Sequence, residues 1–321
     1  MFSLSLIISY VNISNTMTEK VFMEYIISKE YDNICLRSYL RSVLNVSRAE
    51  LTSLKKKEDG IVLNGKKTTV RAILKDGDIL ALNRTDSSSS LNIVPVELPL
   101  DIIYEDDNII ALNKPPYMPT HPSHEHQHDT LANALAYYFK KQDTPFVFRS
   151  VNRLDRDTSG VVLVAKNKYV AFMLSKDMSD FSFEKTYFVL AEGTVKDDFS
   201  IEANMKRCED SSIKRCICPE NEGQYSYTEF EVIKNYNGYT ALYAKPKTGR
   251  THQIRLHLSH AGFPVVSDTL YGNESNLIGR QCLHCASLSF IHPISKNKIT
   301  LNAPLPSDIS ALIKGNENER L

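Results

Sequence analysis

An aspartate between two arginines is the most reactive arrangement of side chains in this sequence. Asp155 lies between Arg153 and Arg156 in the segment Asn152–Gly160, which ends in the turn-forming residues Thr-Ser-Gly. Positive charges within a few ångströms favour the ionised form of a carboxylate, which a reaction can use as a base or a nucleophile. The segment leads into the apolar run Val161–Ala165, a predicted buried strand that would hold the carboxylate rigidly. An exposed cluster of ion pairs is the alternative interpretation.

The residue order of this segment resembles the catalytic motif of the RluA-type RNA pseudouridine synthases. Further segments resemble that family's other motifs, in the family's order, across roughly residues 98 to 305. They are Tyr104–Asp107, Asn113–Pro116 and Thr120–Pro122 for the opening block, Lys185–Tyr187 for a Lys-x-Tyr element, Pro246–His257 for the third block, and Leu283–Cys285 with His292–Pro293 for the closing one. On these motifs the chain is identified as a member of that family.

The resemblance implies an enzyme that isomerises uridine in RNA to pseudouridine and needs no cofactor and no metal. The reaction breaks the bond between uracil N1 and the ribose, rotates the base and rejoins it through C5. Asp155 would act on the ribose, as a nucleophile at C1′ or as a base at C2′, and Arg255 would pair with it. Tyr187 would stack on the uracil and help to move the C5 proton, and Arg153 would enter the space of the flipped base.

The resemblance also implies a set of substrate contacts around these catalytic residues. They are Arg153, Leu154, Arg156, Thr158, Lys185, Arg250, His252 and Gln253. His252 and Gln253 are expected to cap or brace the turn before a helix.

Two positions depart from the family's usual pattern. Asn152 stands where many members have histidine, which we interpret as the mark of a subgroup. Tyr117 stands where glycine is commoner. Because tyrosine disfavours positive φ, we expect the loop around Tyr117 to have a different shape.

The chain is long enough for one large domain and a small one. The serine run Asp86–Ser90 is typical of a flexible linker. We predict an N-terminal extension over 1–28, an RNA-binding module over 29–84, a linker over 85–97, a catalytic domain over 98–308 and a polar tail over 309–321. The predicted class is α+β: a pseudouridine synthase fold with a largely antiparallel mixed sheet in two lobes, preceded by a small α+β RNA-binding domain.

The predicted N-terminal module contains two helices followed by a small sheet. Leu36, Leu40 and Leu44 recur every four residues, and Ser47 with Glu50 forms a capping box for the second helix. The module resembles the alpha-L RNA-binding module of a small-subunit ribosomal protein, although a generic basic mini-domain would have the same pattern. The residues that we expect to contact RNA are Arg37, Arg41, Arg48, Lys55, Lys56, Lys66 and Lys67.

Three helices are expected in the catalytic domain. They run from Asp129 or Thr130 to about Lys141, from near Tyr169 to Met178, and from Thr251 to His260, where Gly262 ends the last one. In the last helix Ile254 and Leu258 form an apolar face, and Arg255 lies about 100° around the axis from Ile254. Arg255 can therefore reach from the edge of the core toward a cleft.

Charge and cysteine content describe the expected environment. Lys plus Arg number 38, as do Asp plus Glu, so a surface that binds RNA must be a local one. The six cysteines are expected to be reduced in a cytoplasmic protein. No apolar run in the sequence reaches the roughly 18 residues of a membrane span. The first 16 residues are expected to be an over-extended start or a disordered tail, because Met17 begins a more natural N-terminus.

Several alternatives stay open. Cys282 and Cys285 have the spacing of one zinc knuckle, with Cys216 and Cys218 as partners, but a clean second knuckle is lacking. A metal-dependent hydrolase would use Asp155 and Asp157 with the tract His121, His124, His126 and His128. A non-catalytic RNA-binding paralogue is the remaining alternative. The expected partner is RNA, ribosomal rather than transfer RNA, and the expected state is a monomer.

Overall fold

The computed structural model of the protein describes residues 22–44, 46, 48–83, 90, 93–179 and 183–318. These residues form two compact units: one lies before residue 88 and includes residues 167–169, and the other comprises the remainder. None of the helices in these ranges combines the length and the apolar character that a membrane span requires.

The first unit combines two helices with a small sheet. Its elements are β1 (Phe22–Ile26), α1 (Leu36–Ser42), α2 (Arg48–Lys56), β2 (Ile61–Leu63), β3 (Lys66–Lys67) and β4 (Ile79–Asn83). The strands pair antiparallel in the order β1-β4-β2-β3. Asn64 and Gly65 join β2 to β3 with φ values of 51° and 74°, the two positive values that a tight hairpin turn needs. The predicted helices and turn are confirmed, whereas the predicted cap Ser47 lies outside the described residues.

The second unit is built on one large mixed sheet. Its strands are β5 (Ile102–Glu105), β6 (Ile109–Lys114), β7 (Ser159–Ala165), β8 (Glu184–Glu192), β9 (Phe199–Arg207), β10 (Arg215–Cys218), β11 (Gln224–Tyr236), β12 (Tyr239–Pro246), β13 (Leu283–Ile291) and β14 (Lys298–Asn302). Their order is β10-β9-β11-β12-β8-β13-β7-β6-β5, with β14 paired to β13. β13 and β7 run parallel, and the other pairs run antiparallel. The predicted largely antiparallel mixed sheet is confirmed.

Four helices follow residue 88 in the described part of the chain. They are α3 (Leu131–Lys141), α4 (Lys168–Ser179), α5 (Gln253–His260) and α6 (Ser307–Asn318). Thr130 caps α3 through reciprocal hydrogen bonds with Asn133. α5 begins at Gln253 rather than at the predicted Thr251, because His252 at its N-cap is left-handed, with φ of 60°. The segment expected as a polar tail instead forms most of α6, whose Ile309 is fully buried.

Three central strands meet closely at the end of the segment that carries Asp155. Gly160 of β7 has φ of 114°, and a Cβ there would lie 2.2 Å from the carbonyl oxygen of Cys285 on β13. Only glycine allows this approach of the two backbones. Tyr187 of β8 lies opposite the same Cys285 on its other side. The sheet therefore places the Asp155 segment and Tyr187 on neighbouring parts of its centre.

The loop after β6 differs from expectation at Tyr117. This residue has φ of 63°, so the prediction that tyrosine would avoid the left-handed conformation here is wrong. The conformation costs a non-glycine residue about 1 to 2 kcal/mol. The Nζ of Lys114 offsets this cost by donating to Pro115 O and Met118 O, each at 2.8 Å, on the two sides of Tyr117. The loop thus keeps a glycine-like backbone while it exposes 55% of a tyrosine.

The cysteines differ in their surroundings. β9 and β10 pair antiparallel and bring Cys208 and Cys216 together in a disulfide, with Cα atoms 5.5 Å apart. The expectation of six reduced cysteines is wrong for this pair. Cys282 and Cys285 are buried thiols. Within the described residues, no three His, Cys, Asp or Glu side chains gather as metal ligands would.

Candidate active site

Polar side chains fix the start of the segment Asn152–Gly160 to the sheet. Asn152 accepts a hydrogen bond from Leu163 N at 2.8 Å and donates one to Val161 O at 2.9 Å. A side-chain amide offers a donor and an acceptor on adjacent atoms, so Asn152 completes the backbone pairing of β7. The Thr120 hydroxyl donates to Leu154 O at 2.9 Å. The first residues of the segment are therefore hydrogen-bonded both to β7 and to Thr120.

A fully buried lysine supports the same segment from the loop after β6. Besides its two bonds within that loop, the Nζ of Lys114 donates to Arg156 O at 3.0 Å. Burial lowers the pKa of Lys114 to about 7, while the carboxylate of Asp155 opposes the shift. Three carbonyl acceptors favour the ammonium form, because only that form has three N–H groups. Lys114 thus joins the two loops through a single side chain.

Asp155 is held by an arginine from α5. Arg255 Nη1 donates to Asp155 Oδ2 at 2.9 Å, while its Nε and Nη2 donate to the two carboxylate oxygens of Asp268 at 2.6 and 2.7 Å. Asp268 is fully buried, whereas the Asp155 side chain keeps 27% exposure. Burial opposes the charge of Arg255, but the bonds to Asp268 and the charge of Asp155 outweigh it and raise the pKa of Arg255. One carboxylate clamps the guanidinium, which in turn orients the other.

The arginines that flank Asp155 in the sequence point to other partners. Arg153 Nη2 donates to the hydroxyl of Thr251, and Arg156 donates to Asp157 through Nε at 2.8 Å and Nη2 at 3.1 Å. The hydrogen bonds of these two arginines therefore go to residues other than Asp155, whereas the expected pairing of Asp155 with Arg255 is present. Adjacent residues of a loop point in different directions, so the counterion comes from Arg255, 100 positions later.

A histidine and a tyrosine complete the surroundings of Asp155. His252 Nε2 lies 3.8 Å from Asp155 Oδ2, and its Nδ1 lies 3.0 Å from the Tyr271 hydroxyl. That hydroxyl also accepts a hydrogen bond from Arg215 N at 2.7 Å. Burial lowers the pKa of His252, although the charge of Asp155 opposes this.

Tyr187 contributes a buried ring with a protonated hydroxyl. Its side chain is hydrogen-bonded to the Cys285 thiol, and burial, followed by the charge of Cys285, raises the pKa of Tyr187 well above 10. Lys185, two residues earlier on β8, donates to Thr248 O at 3.2 Å, and burial lowers the pKa of this lysine. The strand therefore presents an aromatic face and a buried amine to the same region.

Gln253 organises the loop before α5. Its Oε1 accepts from Thr248 Oγ1 at 2.7 Å and from Arg250 N at 3.0 Å. Its Nε2 donates to Tyr227 O at 3.0 Å and to Thr228 Oγ1 at 2.9 Å. All four hydrogen-bonding positions of the amide are used within the protein, so Gln253 braces this turn as expected.

These side chains converge on one cleft of about 250 Å³. Ten of the eleven residues predicted to act in catalysis or substrate binding line it: Arg153, Leu154, Asp155, Thr158, Lys185, Tyr187, Arg250, His252, Gln253 and Arg255. The eleventh, Arg156, is an exposed residue of the same loop. The cleft thus joins an oriented carboxylate, an aromatic face and several cations, which suits an anionic substrate with a planar base.

The chain is similar to known RNA-modifying enzymes. The RNA pseudouridylate synthase family matches residues 108–260. Over 273 residues the chain is 37% identical to the uncharacterized RNA pseudouridine synthase YjbO of Bacillus subtilis (strain 168), covering 85% of this chain and 96% of that protein. It is 31% identical to the ribosomal large subunit pseudouridine synthase D of Neisseria meningitidis serogroup B, covering 83% and 74% of the two chains. The chain belongs to the RNA pseudouridine synthase family.

A solved structure supports the same assignment. Human RNA pseudouridylate synthase domain containing 1 superposes with a TM-score of 0.55 at 26% identity, over 67% of this chain and 87% of that one. The protein is therefore an isomerase that acts on RNA. Its fold, with one central mixed sheet that carries the cleft, is that of the pseudouridine synthases.

Sequence reasoning missed two residues that support the synthase's cleft from behind its lining, Asp268 and Tyr271. Asp268 lies in a loop and has no local pattern that indicates an ion pair with α5. Tyr271 is linked to Asp155 through His252, and its ring lies 5.3 Å from the guanidinium carbon of Arg255. The spacing of Asp268 and Tyr271, three apart and shortly after an arginine-bearing helix, is visible in the sequence but is not specific enough to have singled them out.

Proposed function

We propose that the enzyme converts specific uridines of structured RNA to pseudouridine, with large-subunit ribosomal RNA as its principal substrate. The observation that carries the proposal is the exposed edge of the Asp155 carboxylate, oriented by Arg255 and facing the same cleft as Tyr187. The similar protein of Neisseria meningitidis is named for the large ribosomal subunit, which favours ribosomal over transfer RNA. Transfer RNA as substrate, or a non-catalytic RNA-binding paralogue, is the alternative.

We assign the chemical step to Asp155. The target uridine must leave its stack, at a cost of a few kcal/mol, and Arg153 at the cleft is placed to fill the vacated space. The ionised Asp155 then attacks ribose C1′ or removes the C2′ proton, and in either route the bond from C1′ to uracil N1 breaks with its electron pair left on the base. Both routes require the carboxylate form. Arg255, held by Asp268, is hydrogen-bonded to this carboxylate and fixes its direction. After the base has rotated and rejoined through C5, a nearby group accepts the C5 proton.

Tyr187 is expected to act through its ring. Because the pKa of its hydroxyl is raised well above 10, a phenolate is not available at neutral pH. Tyr187→Phe should therefore keep kcat within about threefold, whereas Tyr187→Ala should lower it on the order of 100-fold by removing a base-stacking contact of about 1 to 3 kcal/mol. Single-turnover assays at pH 7 check this. A Tyr187→Phe enzyme as slow as Tyr187→Ala would assign proton transfer to the hydroxyl instead.

We propose that the first unit binds RNA outside the cleft. All seven of its predicted contact residues are exposed. A variant with Lys55, Lys56, Lys66 and Lys67 changed to serine should bind RNA more weakly and lose about 3 from the slope of log affinity against log salt, roughly 0.7 to 0.9 per phosphate contact.

Filter binding at four salt concentrations checks this expectation. Lys298→Ser is the control, because this lysine of the second unit is 61% exposed and pairs with Glu184 rather than with RNA. If the fourfold variant had the same slope of log affinity against log salt as Lys298→Ser, the proposal that the first unit binds RNA would be wrong.

The substrate assignment is tested with purified protein and unmodified RNA. Transcripts of large-subunit ribosomal RNA and a pool of transfer RNA transcripts are incubated separately, and pseudouridine is located by mass spectrometry of nuclease fragments. The proposal expects one or a few sites in ribosomal RNA. Pseudouridine found only in transfer RNA would make transfer RNA the substrate. Tight binding of either RNA without any pseudouridine formed would favour the non-catalytic paralogue.

A further inference from the structure

A buried arginine outside the cleft touches the catalytic segment directly. The side chain of Arg280 is fully buried, and its Nη1 donates to Asp157 O at 3.0 Å. Its Nε and Nη2 donate to the two carboxylate oxygens of Asp308 at 2.8 and 3.0 Å. Asp308 is the second residue of α6, so one guanidinium connects the C-terminal helix to the segment that carries Asp155.

Helix α6, which contacts Arg280 through Asp308, is itself packed against the core. Ile309, next to Asp308, packs in one apolar cluster with Phe188 and Leu190 of β8, and Leu312 adds to the cluster from the next turn of α6. Phe188 follows Tyr187 in the strand. The position of Asp308 is therefore tied to the strand that presents Tyr187 to the cleft.

The carbonyl held by Arg280 belongs to the tight turn that places Asp155. Thr158 N donates to Asp155 O at 3.1 Å and closes this turn, and Gln281 Nε2 donates to Thr158 Oγ1 at 3.3 Å. Lys114 holds the preceding carbonyl, that of Arg156. Two consecutive peptide groups after Asp155 are thus each fixed by a buried cation from a different part of the fold.

We propose that Arg280 and Asp308 are positioning residues of the catalytic turn, which makes α6 part of the catalytic apparatus. Neither is among the residues of the described chain that line the cleft. Their loss should therefore change how Asp155 is placed and not how RNA is bound. A displacement near 1 Å at a reacting group costs on the order of 100-fold in rate. The proposal rests on the catalytic role assigned to Asp155.

The test compares two aspartate-to-asparagine variants of the full-length enzyme. Asp308→Asn removes the charge that holds Arg280. Asp106→Asn is the matched control: its side chain is 28% exposed against 35% for Asp308, and it binds a buried side chain, His292, at 3.2 Å. Asp106 also accepts a hydrogen bond from Ile109 N. Ile109 is the first residue of β6, whereas Lys114 is the last residue of that strand.

Both variants are assayed at a temperature where circular dichroism shows them fully folded. We expect Asp308→Asn to lower kcat on the order of tenfold to 100-fold with KM and RNA affinity unchanged, because misplacement of the reacting group affects the chemical step. Asp106→Asn should lower the melting temperature and leave kcat unchanged. Asp308→Glu, which restores the charge, should recover most of the lost kcat.

Two outcomes would overturn the inference. One is a wild-type kcat for Asp308→Asn. The other is an equal loss of kcat in Asp308→Asn and Asp106→Asn, which would show that Arg280 stabilises the fold in general and does not position Asp155. Asp155→Asn is measured alongside. If that variant is active, the proposed function itself fails; if it is inactive while Asp308→Asn is normal, only the positioning role fails.

Discussion

Asp155→Asn is expected to lower the rate of pseudouridine formation by at least about 10⁴-fold, since it removes the reacting group of both possible routes. An amide neither attacks C1′ nor accepts a proton from C2′ at neutral pH. The substitution keeps the shape of the side chain, and its Oδ1 can still accept from Arg255 Nη1. Folding and RNA affinity should therefore stay near those of the parent enzyme. Single-turnover assays with excess enzyme, with pseudouridine measured by mass spectrometry, give the rate.

Asp157→Asn is the matched control for this loss. Asp157 lies two positions further along the same loop, its side chain is 22% exposed, and it pairs with Arg156 instead of Arg255. It should keep most of the activity, because its side chain is hydrogen-bonded to Arg156 and the pair of Asp155 with Arg255 stays intact. An Asp155→Asn enzyme that retains the rate of Asp157→Asn would contradict the assignment of the catalytic carboxylate.

Asp268→Asn is expected to produce the second largest effect, a loss of kcat on the order of 100-fold to 1000-fold. Asp268 accepts two bonds from Arg255 and is fully buried, so its charge sets the direction of the guanidinium. Without that charge, Arg255 is left with one carboxylate and can rotate toward it, which moves Asp155. Removing one partner of a buried ion pair also costs about 3 to 5 kcal/mol of folding stability. Activity must therefore be measured well below the melting temperature.

Arg255→Lys separates the geometry of the arginine from its charge. A lysine keeps the positive charge but lacks the planar fork that binds Asp268 and Asp155 at the same time. It should therefore lose kcat to an extent similar to Asp268→Asn while RNA affinity is retained. Full activity of Arg255→Lys would show that a point charge near Asp155 suffices, and the role given to Asp268 would be wrong.

Most residues of the cleft could be predicted, because the order of the motifs indicates which residues form it. The motifs do not show the contacts that these residues make. Asp155 and Tyr187 are far apart in sequence, and the strand pairing of β7, β13 and β8 brings their segments together, while Arg255 reaches Asp155 from α5. The charge pattern of the loop could not show which arginine contacts Asp155, because Arg153 and Arg156 are near Asp155 in sequence but point to Thr251 and Asp157. The resemblance gave Arg255 as the partner of Asp155, and the structure shows this arginine of α5 reaching the carboxylate from one step beside an apolar face.

Other features of the structure could not be predicted from the sequence, for physical reasons that differ from case to case. Asp268 acts through a long-range bond, which no local pattern encodes. Tyr117 takes a left-handed backbone because Lys114 holds the carbonyls around it, so tertiary contacts outweigh the preference of one residue. The apolar residues of α6 are few, so the sequence predicts a polar tail there, and only tertiary packing against a cluster that includes Phe188 and Leu190 of β8 buries Ile309. The disulfide pair became visible only once β9 and β10 were paired.

The most direct test of the central claim is pseudouridine mapping of total RNA from cells that lack this gene and are complemented with either the parent gene or Asp155→Asn. We expect one or a few sites in large-subunit ribosomal RNA to disappear on deletion, to return with the parent gene and to stay absent with Asp155→Asn. If the sites returned equally with both genes, catalysis by Asp155 in the Arg255 cleft would be contradicted.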